Sequence, residues 1–222
     1  MRRARCRARV LYGKRKLFVW GESRMKLNLH PQFGPLQQLL AANSAVLSHS
    51  WKGLAYRCAG LEYASAEKLI SGEGTRRYGA RWMAPGAERV VHLSTTEMTA
   101  VQESRGHFVR YGLDGIKPAP RVLVTLEVEV SRLLDLFRLD SLCEGFTIQE
   151  MLDDDWERLN ELGKESLSQA LGRAAFSLGY EAILAPSAVY RRRRNLAVFP
   201  ENLAYRSRFA IAHEDALRQW LG

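Results

Sequence analysis

The sequence has little cysteine and no long hydrophobic run. Cys6, Cys58 and Cys143 are an odd number, lie far apart and form no CxxC pair. That argues against a disulfide framework or a cysteine zinc site and fits a reducing cytoplasm. No stretch approaches the roughly 20 apolar residues that span a bilayer. The apolar run Leu17–Trp20 is too short for the core of a signal peptide, and no small-residue cleavage site follows it. Neither a membrane-spanning nor a secreted protein is expected. His30, His49, His92, His107 and His213 are scattered without ligand spacing, so no metal is expected. Three nucleotide or nucleophile signatures are missing as well: a phosphate loop ending in Gly-Lys-Ser/Thr, a strand–GxGxxG–helix order, and a GxSxG elbow. There is no internal repeat and no linker.

The chain has 222 residues, 46% hydrophobic and 26% charged, ordinary values for one soluble domain with a sizeable core or two small ones. Its net charge of +9 suggests a nucleic-acid partner until the charge is located. Residues 1–26 hold ten of the 33 basic side chains and one of the 24 acidic ones, leaving 23 of each and no net charge in the remainder. The basic character belongs to an N-terminal arm, not to the domain. Such an arm can bind phosphates by counterion release. The plainer reading, preferred here, is a disordered extension or a stretch upstream of a start at Met25. Direct nucleic-acid binding is the weakest functional reading.

Residues 27–53 read as a helical N-terminal segment, with Pro31 and Pro35 ahead of a helix over Leu36–Val46. From Leu54 to residue 222 the chain reads as one continuous domain. Leu54–Cys58 is a short strand candidate, Ser71–Pro85 a glycine- and arginine-rich loop, and Arg89–Leu93 a strand. Ser94 followed by Glu97 has the spacing of a capping box, which predicts a helix from Thr95 to about Arg110. Arg121–Val130 is the clearest strand, because Val122, Val124, Leu126, Val128 and Val130 alternate with Leu123, Thr125, Glu127 and Glu129. Asp153–Asp155 predicts the acidic start of a helix reaching Leu178 and stopping at Gly179. Glu181–Ala185 and Asn195–Phe199 are further strands, and Ala212–Leu221 a closing helix. Irregular alternation of strands and helices, with a strongest strand that is apolar on one face only, predicts an α+β fold with a mixed, mainly antiparallel sheet.

Several residues are suited to chemistry, each with an ordinary structural role to weigh against it. In Gly72–Trp82, glycines permit close backbone approach and arginines suit phosphate, although a flexible surface loop is the default. On the helix from Thr95, Met98, Val101, Arg105 and Phe108 form one stripe. Glu103 points about 140° away from Met98, toward Thr96, Thr99, Ala100 and His107. That is either a solvated face or a cleft wall. Ser187 sits at a strand end, where serine commonly turns the chain. Arg191–Arg194 reads as a solvated hairpin loop or as a phosphate or partner contact.

These segments occur in a recognisable order. Tyr56-Arg57 lies on the first strand, and Gly79-Ala-Arg81-Trp82 precedes Pro85-Gly86. Val90-Val-His-Leu-Ser94 then leads into a helix bearing Ala100-x-x-Glu103, and Ala185-Pro-Ser187 is followed by Asn195-Leu-Ala-Val-Phe-Pro200. The order resembles the RES domain, named for an arginine, a glutamate and a serine, over roughly residues 54–203. No single motif is specific; the order and spacing of four carry the resemblance. Ala80 stands where a second glycine is usual, Met83 where asparagine is common, and His92 where a tyrosine often sits.

The resemblance implies a split, mainly antiparallel sheet with flanking helices, like that of mono-ADP-ribosyltransferases. It also implies NAD⁺ as substrate, with no cofactor and with water or inorganic phosphate as acceptor. RES proteins are usually cytoplasmic toxins that deplete NAD⁺, held in check by an Xre-like helix-turn-helix antitoxin. On this resemblance Glu103 would stabilise the sugar cation, and Arg81, with Arg57 close behind it, would hold the pyrophosphate or the adjacent ribose hydroxyls. Ser187 would bond the ribose or lock an arginine. His92 would replace the tyrosine as a donor, and Asn195 would complete the site. Tyr56 or Trp82 would stack on nicotinamide or pack in the core, the core being favoured for Trp82. A mono-ADP-ribosyltransferase acting on a cellular protein is the alternative. Val101, where transferases carry Glu or Gln two residues before the catalytic glutamate, leans away from it. Homo-oligomerisation stays open.

Overall fold

The computed structural model describes residues 27–110, 120–139 and 147–221, without the side chains of 106–110 and 221. The basic arm at 1–26 lies outside these residues, as do the side chains of His107 and Phe108. Helix α1 (Phe33–Ala42) buries Leu36 and Leu40, one turn apart, and α2 (Ser44–Leu47) buries Leu47. The chain then enters β1 (Ser48–Gly60), a strand of 13 residues where sequence patterning showed only Leu54–Cys58. It runs antiparallel to β3 (Arg121–Asp135), with pairs from Ser48↔Leu134 to Gly60↔Arg121.

The alternating residues of β3 turn inward: Val122, Val124, Leu126, Val128 and Val130 are all buried. The strand continues five residues past the predicted end. Leu133, Leu134 and Asp135 are buried there, and they pair in parallel with β4 (Ala182–Pro186). A strand covered on both faces loses its alternation, which is why pattern reading stopped short.

The remaining strands are β2 (Val91–Ser94), β5 (Arg194–Val198) and β6 (Arg208–Ile211). Strand β6 is an addition to the elements expected from the sequence pattern. The six-stranded sheet has the order β1-β2-β5-β4-β3-β6, with β1 also paired to β3. Only β3–β4 is parallel. The sheet is thus mixed and mainly antiparallel, as expected. The β1–β3 ladder closes it into a barrel, where a split sheet was expected. One seam is thin, since β1 and β2 share the single pair Tyr56↔Ser94.

Both faces of the sheet are covered. On one, Ile183, Ala185, Ala197 and Phe199 pack with Leu36, Leu40 and the helix α8 (Leu167–Ser177). On the other, Ala182, Leu184, Leu196 and Val198 pack with Val91, Leu93, Leu126 and Leu217. Adjacent residues of β4 and β5 therefore feed two cores. Glu181 lies just before β4, only 2% exposed. Burial opposes its ionisation, but hydroxyls of Ser131 and Ser207 and the amides of Ala204 and Ser131 outweigh this and hold its carboxyl below the usual range.

Three local expectations are corrected. The single helix expected from Asp153 to Leu178 is two helices, α7 (Trp156–Glu161) and α8, and Asp153 itself ends a helix, α6 (Ile148–Asp153), instead of starting one. Asp155 caps α7, and Ser166 with Gln169 forms a capping box on α8, so the polar residues start helices instead of lying inside one. The loop Ser71–Pro85 contains a short helix, α4 (Glu73–Tyr78), which follows α3 (Ala66–Ser71) after Gly72. Finally, Ser94 does not cap the helix that follows. That helix, α5 (Glu97–Arg110), begins later, and the Thr99 amide donates to the Thr96 hydroxyl at 3.3 Å. The closing helix is α9 (Glu214–Leu221).

Candidate active site

A cleft of about 980 Å³ opens beside the thin β1–β2 seam. Ligand clefts commonly measure about 300–1,000 Å³, so this one has the room for a dinucleotide. Strand β1 contributes Tyr56 and Arg57, β2 contributes His92, and β5 contributes Asn195. Helix α5 brings Glu103, and the turn before Pro85 brings Arg81 and Trp82.

That turn is tightly made. Ala80 and Met83 exchange backbone hydrogen bonds of 2.8 and 3.2 Å, leaving Arg81 and Trp82 at the tip. Gly79 precedes it with φ of 75°, and a side chain there would run into Pro85. The Gln169 amide donates to the carbonyls of Ala80 and Met83 at 3.0 and 3.4 Å, tying the turn to α8. Trp82 is only 3% exposed and belongs to the core cluster, although it also lines the cleft. Arg81 Nη1 donates to the carbonyls of Met151 and Asp154 at 2.7 and 3.3 Å. A guanidinium at the C-terminal end of α6 meets carbonyls that lack helical partners.

Glu103 is held firmly at one oxygen. Its Oε1 accepts from Ser187 Oγ at 2.5 Å and from Asn195 Nδ2 at 2.6 Å, whereas Oε2 has no partner among the described residues. Ser187 is fully buried, and its hydroxyl also accepts from the amides of Val189 and Tyr190 at 3.2 and 2.9 Å. It therefore sits behind the glutamate and holds it in place. Asn195 Oδ1 in turn accepts from Ser94 Oγ at 2.8 Å.

The basic side is formed by Arg57 and Arg81 around His92. Arg57 Nη1 donates to the His92 carbonyl at 3.1 Å, and its Nε has no partner. Burial lowers its pKa to about 10, so it stays cationic at neutral pH. The His92 Nε2 also has no partner. Burial, reinforced by the charges of Arg57 and Arg81, pushes the imidazole down to about 3 and keeps it neutral. Both nitrogens are closed to solvent, so each leaves a buried polar group unsatisfied beneath the cleft wall.

Of the eight residues singled out from the sequence, seven line the cleft and Ser187 lies directly beneath it. Sequence reading missed Ser94, taken as a cap, and Trp156, a further cleft-lining aromatic. It also missed the ion pair between Arg191 and Asp153 at the cleft wall. The first depends on strand register and the third on a 38-residue separation, so no local pattern betrays them. Among the described residues no group of metal-ligating side chains comes together, and no helix is long and apolar enough to cross a membrane.

Fold and cleft together define an α+β protein with a closed, mixed sheet, whose cleft sets one anchored carboxylate against two guanidinium groups. The RES domain model matches residues 54–218, and the chain belongs to the RES domain family. A chain in the crystal structure of the M. tuberculosis MbcT–MbcA toxin–antitoxin complex has the same fold. It superposes with a TM-score of 0.58 at 20% identity, over 83% of this chain and 95% of that one. No curated protein matches the chain.

Proposed function

We propose that this protein is a toxin that cleaves NAD⁺ at the nicotinamide–ribose bond, passing the ADP-ribosyl group to water or to inorganic phosphate. The observation that carries the reading is the Glu103 carboxylate, locked by Ser187 and Asn195 in a cleft that also holds Arg57 and Arg81. Nicotinamide in NAD⁺ is already a cationic leaving group. Breaking its bond to C1′ leaves positive charge on the sugar, as in other glycosyl cleavages. A fixed carboxylate stabilises that charge as it develops, without reorganising. The bond electrons leave with nicotinamide, and water or phosphate then bonds to C1′; attacking water releases a proton.

Arg57 and Arg81 suit the pyrophosphate, since both line the cleft and a guanidinium matches phosphate geometry. His92 lines the cleft as a neutral imidazole, and a turn of the ring would bring its solvent-closed, partnerless Nε2 to a ribose hydroxyl. Tyr56 and Trp156 offer aromatic faces to the bases. An uncontrolled NAD⁺-consuming enzyme in the cytoplasm would kill its host, so a neutralising partner accompanies this reading. The toxin–antitoxin complex in which the structural neighbour was solved supports one, and an Xre-like antitoxin is the form proposed.

The test is NAD⁺ consumption by the purified protein with and without phosphate, beside Glu103→Ala. Consumption by the wild type, reduced at least about 100-fold in the variant while NAD⁺ binding persists, is the expected result; electrostatic catalytic groups contribute on that scale. Phosphate dependence then distinguishes phosphorolysis from hydrolysis. No consumption by the wild type, or an unimpaired variant, refutes the reading.

A further inference from the structure

Ser94 has the spacing of a helix cap, yet it caps nothing, and its hydroxyl is spent elsewhere. It is 3% exposed, and its one side-chain hydrogen bond among the described residues is the 2.8 Å donation to Asn195 Oδ1. We propose that Ser94 is a positioning residue, whose hydroxyl fixes the Asn195 amide so that its NH₂ group is presented to Glu103. This rests on the reading of Glu103 as the group that acts on NAD⁺.

An asparagine amide has one accepting and one donating end, and an ionised carboxylate can only accept. Glu103 is therefore served by Nδ2 alone, and Asn195 must keep that end toward it. Ser94 and Asn195 are direct cross-strand partners on β2 and β5, so the hydroxyl reaches the opposite end of the same amide. Held at both ends, the amide cannot swing. Hydroxyl, amide and carboxylate form a chain of dipoles running one way, in which each bond strengthens the next. Ser94 is also the residue through which β1 meets β2, at Tyr56↔Ser94. The sheet thus provides the reference point for a carboxylate carried on a helix. Without the hydroxyl, Asn195 is anchored at one end and Oδ1 is left without its donor. Among the described residues, Ser187 then remains the one rigid hold on Glu103.

The test measures kcat and KM for NAD⁺ on the full-length wild type, Ser94→Ala, Ser94→Thr, Asn195→Ala and the Ser94→Ala/Asn195→Ala double variant. The Asn195 side-chain amide signal is followed by ¹⁵N NMR in the wild type and in Ser94→Ala. The expected result is a loss of about tenfold in kcat for Ser94→Ala with KM within about twofold, and recovery in Ser94→Thr. In the double variant the Ser94→Ala loss disappears into that of Asn195→Ala, because one acts through the other. The amide signal moves, and its protons exchange faster. Losses that add in full, or a loss carried by KM alone, overturn the proposal. If the wild type does not consume NAD⁺, the functional reading fails separately. The amide signal then decides whether Ser94 orients Asn195, and an unmoved signal overturns it.

Discussion

Replacing Gly172 by alanine tests how the arginine-bearing turn is held. In an ordinary helix interior this change is favourable, since alanine exceeds glycine in helix propensity by ~1 kcal/mol. Here α8 lies directly against the turn. A Cβ on Gly172 would overlap the Trp82 carbonyl oxygen and lie 2.6 Å from its carbon and 3.0 Å from its Cα. All three are backbone atoms, which cannot turn aside as a side chain can. The turn must move away from α8, straining the Gln169 bonds to Ala80 and Met83 and unseating Trp82 from its core. Overpacking of this kind costs about 1–3 kcal/mol, or more where backbone must shift. The upper end applies, so the net change is about 2 kcal/mol of destabilisation after the propensity gain. At about 2–4 °C per kcal/mol for a chain of this size, Tm should fall by roughly 4–8 °C. Because Arg81 rides on the same turn, KM for NAD⁺ should rise as well. A thermal melt at or above that of the wild type, with KM unchanged, would refute the reasoning.

Two further outcomes follow from the same coordinates. Leu40→Ala empties a fully buried position between α1 and the sheet and should cost about 2–5 kcal/mol, read as a lowered urea midpoint, with less effect on KM than Gly172→Ala. His92 is held near 3 when folded against an ordinary value of about 6.5, so the unfolded chain takes up its proton first. Its contribution to stability is thus complete above about pH 6.5 and is lost as pH falls from there toward 3. His92→Asn should flatten the fall in stability across that window, measured by urea titrations at several pH values, and an unchanged slope would contradict a buried neutral imidazole.

Residue order, through its resemblance to the RES domain, pointed to much of the candidate site. Glu103, Arg81 and Asn195 could be picked out because short motifs recur in a fixed sequence, and the structure gathers them around one cleft. Local rules misjudged Ser94, whose spacing to Glu97 fits a cap as well as any. Its true partner lies 101 residues away, brought opposite by the β2–β5 register. The Pro-Ser motif marks Ser187, but which group it bonds depends on where α5 is laid across the barrel.

The sequence by itself determined the inward face of β3, because alternation at period two survives wherever one face meets the core. It also determined the neutral charge of residues 27–222 and the mixed, mainly antiparallel class of the sheet. Tertiary structure decided the rest: closure through the β1–β3 ladder, the division of Asp153–Leu178 into separate helices, and the strand β6. It also set the chain of hydrogen bonds from Ser94 through Asn195 to Glu103. The physical reason is range. Periodicity and capping act over a few residues and leave a mark in the local pattern. Barrel closure and a shared carboxylate join groups many residues apart, whose meeting is set by packing both faces of one sheet.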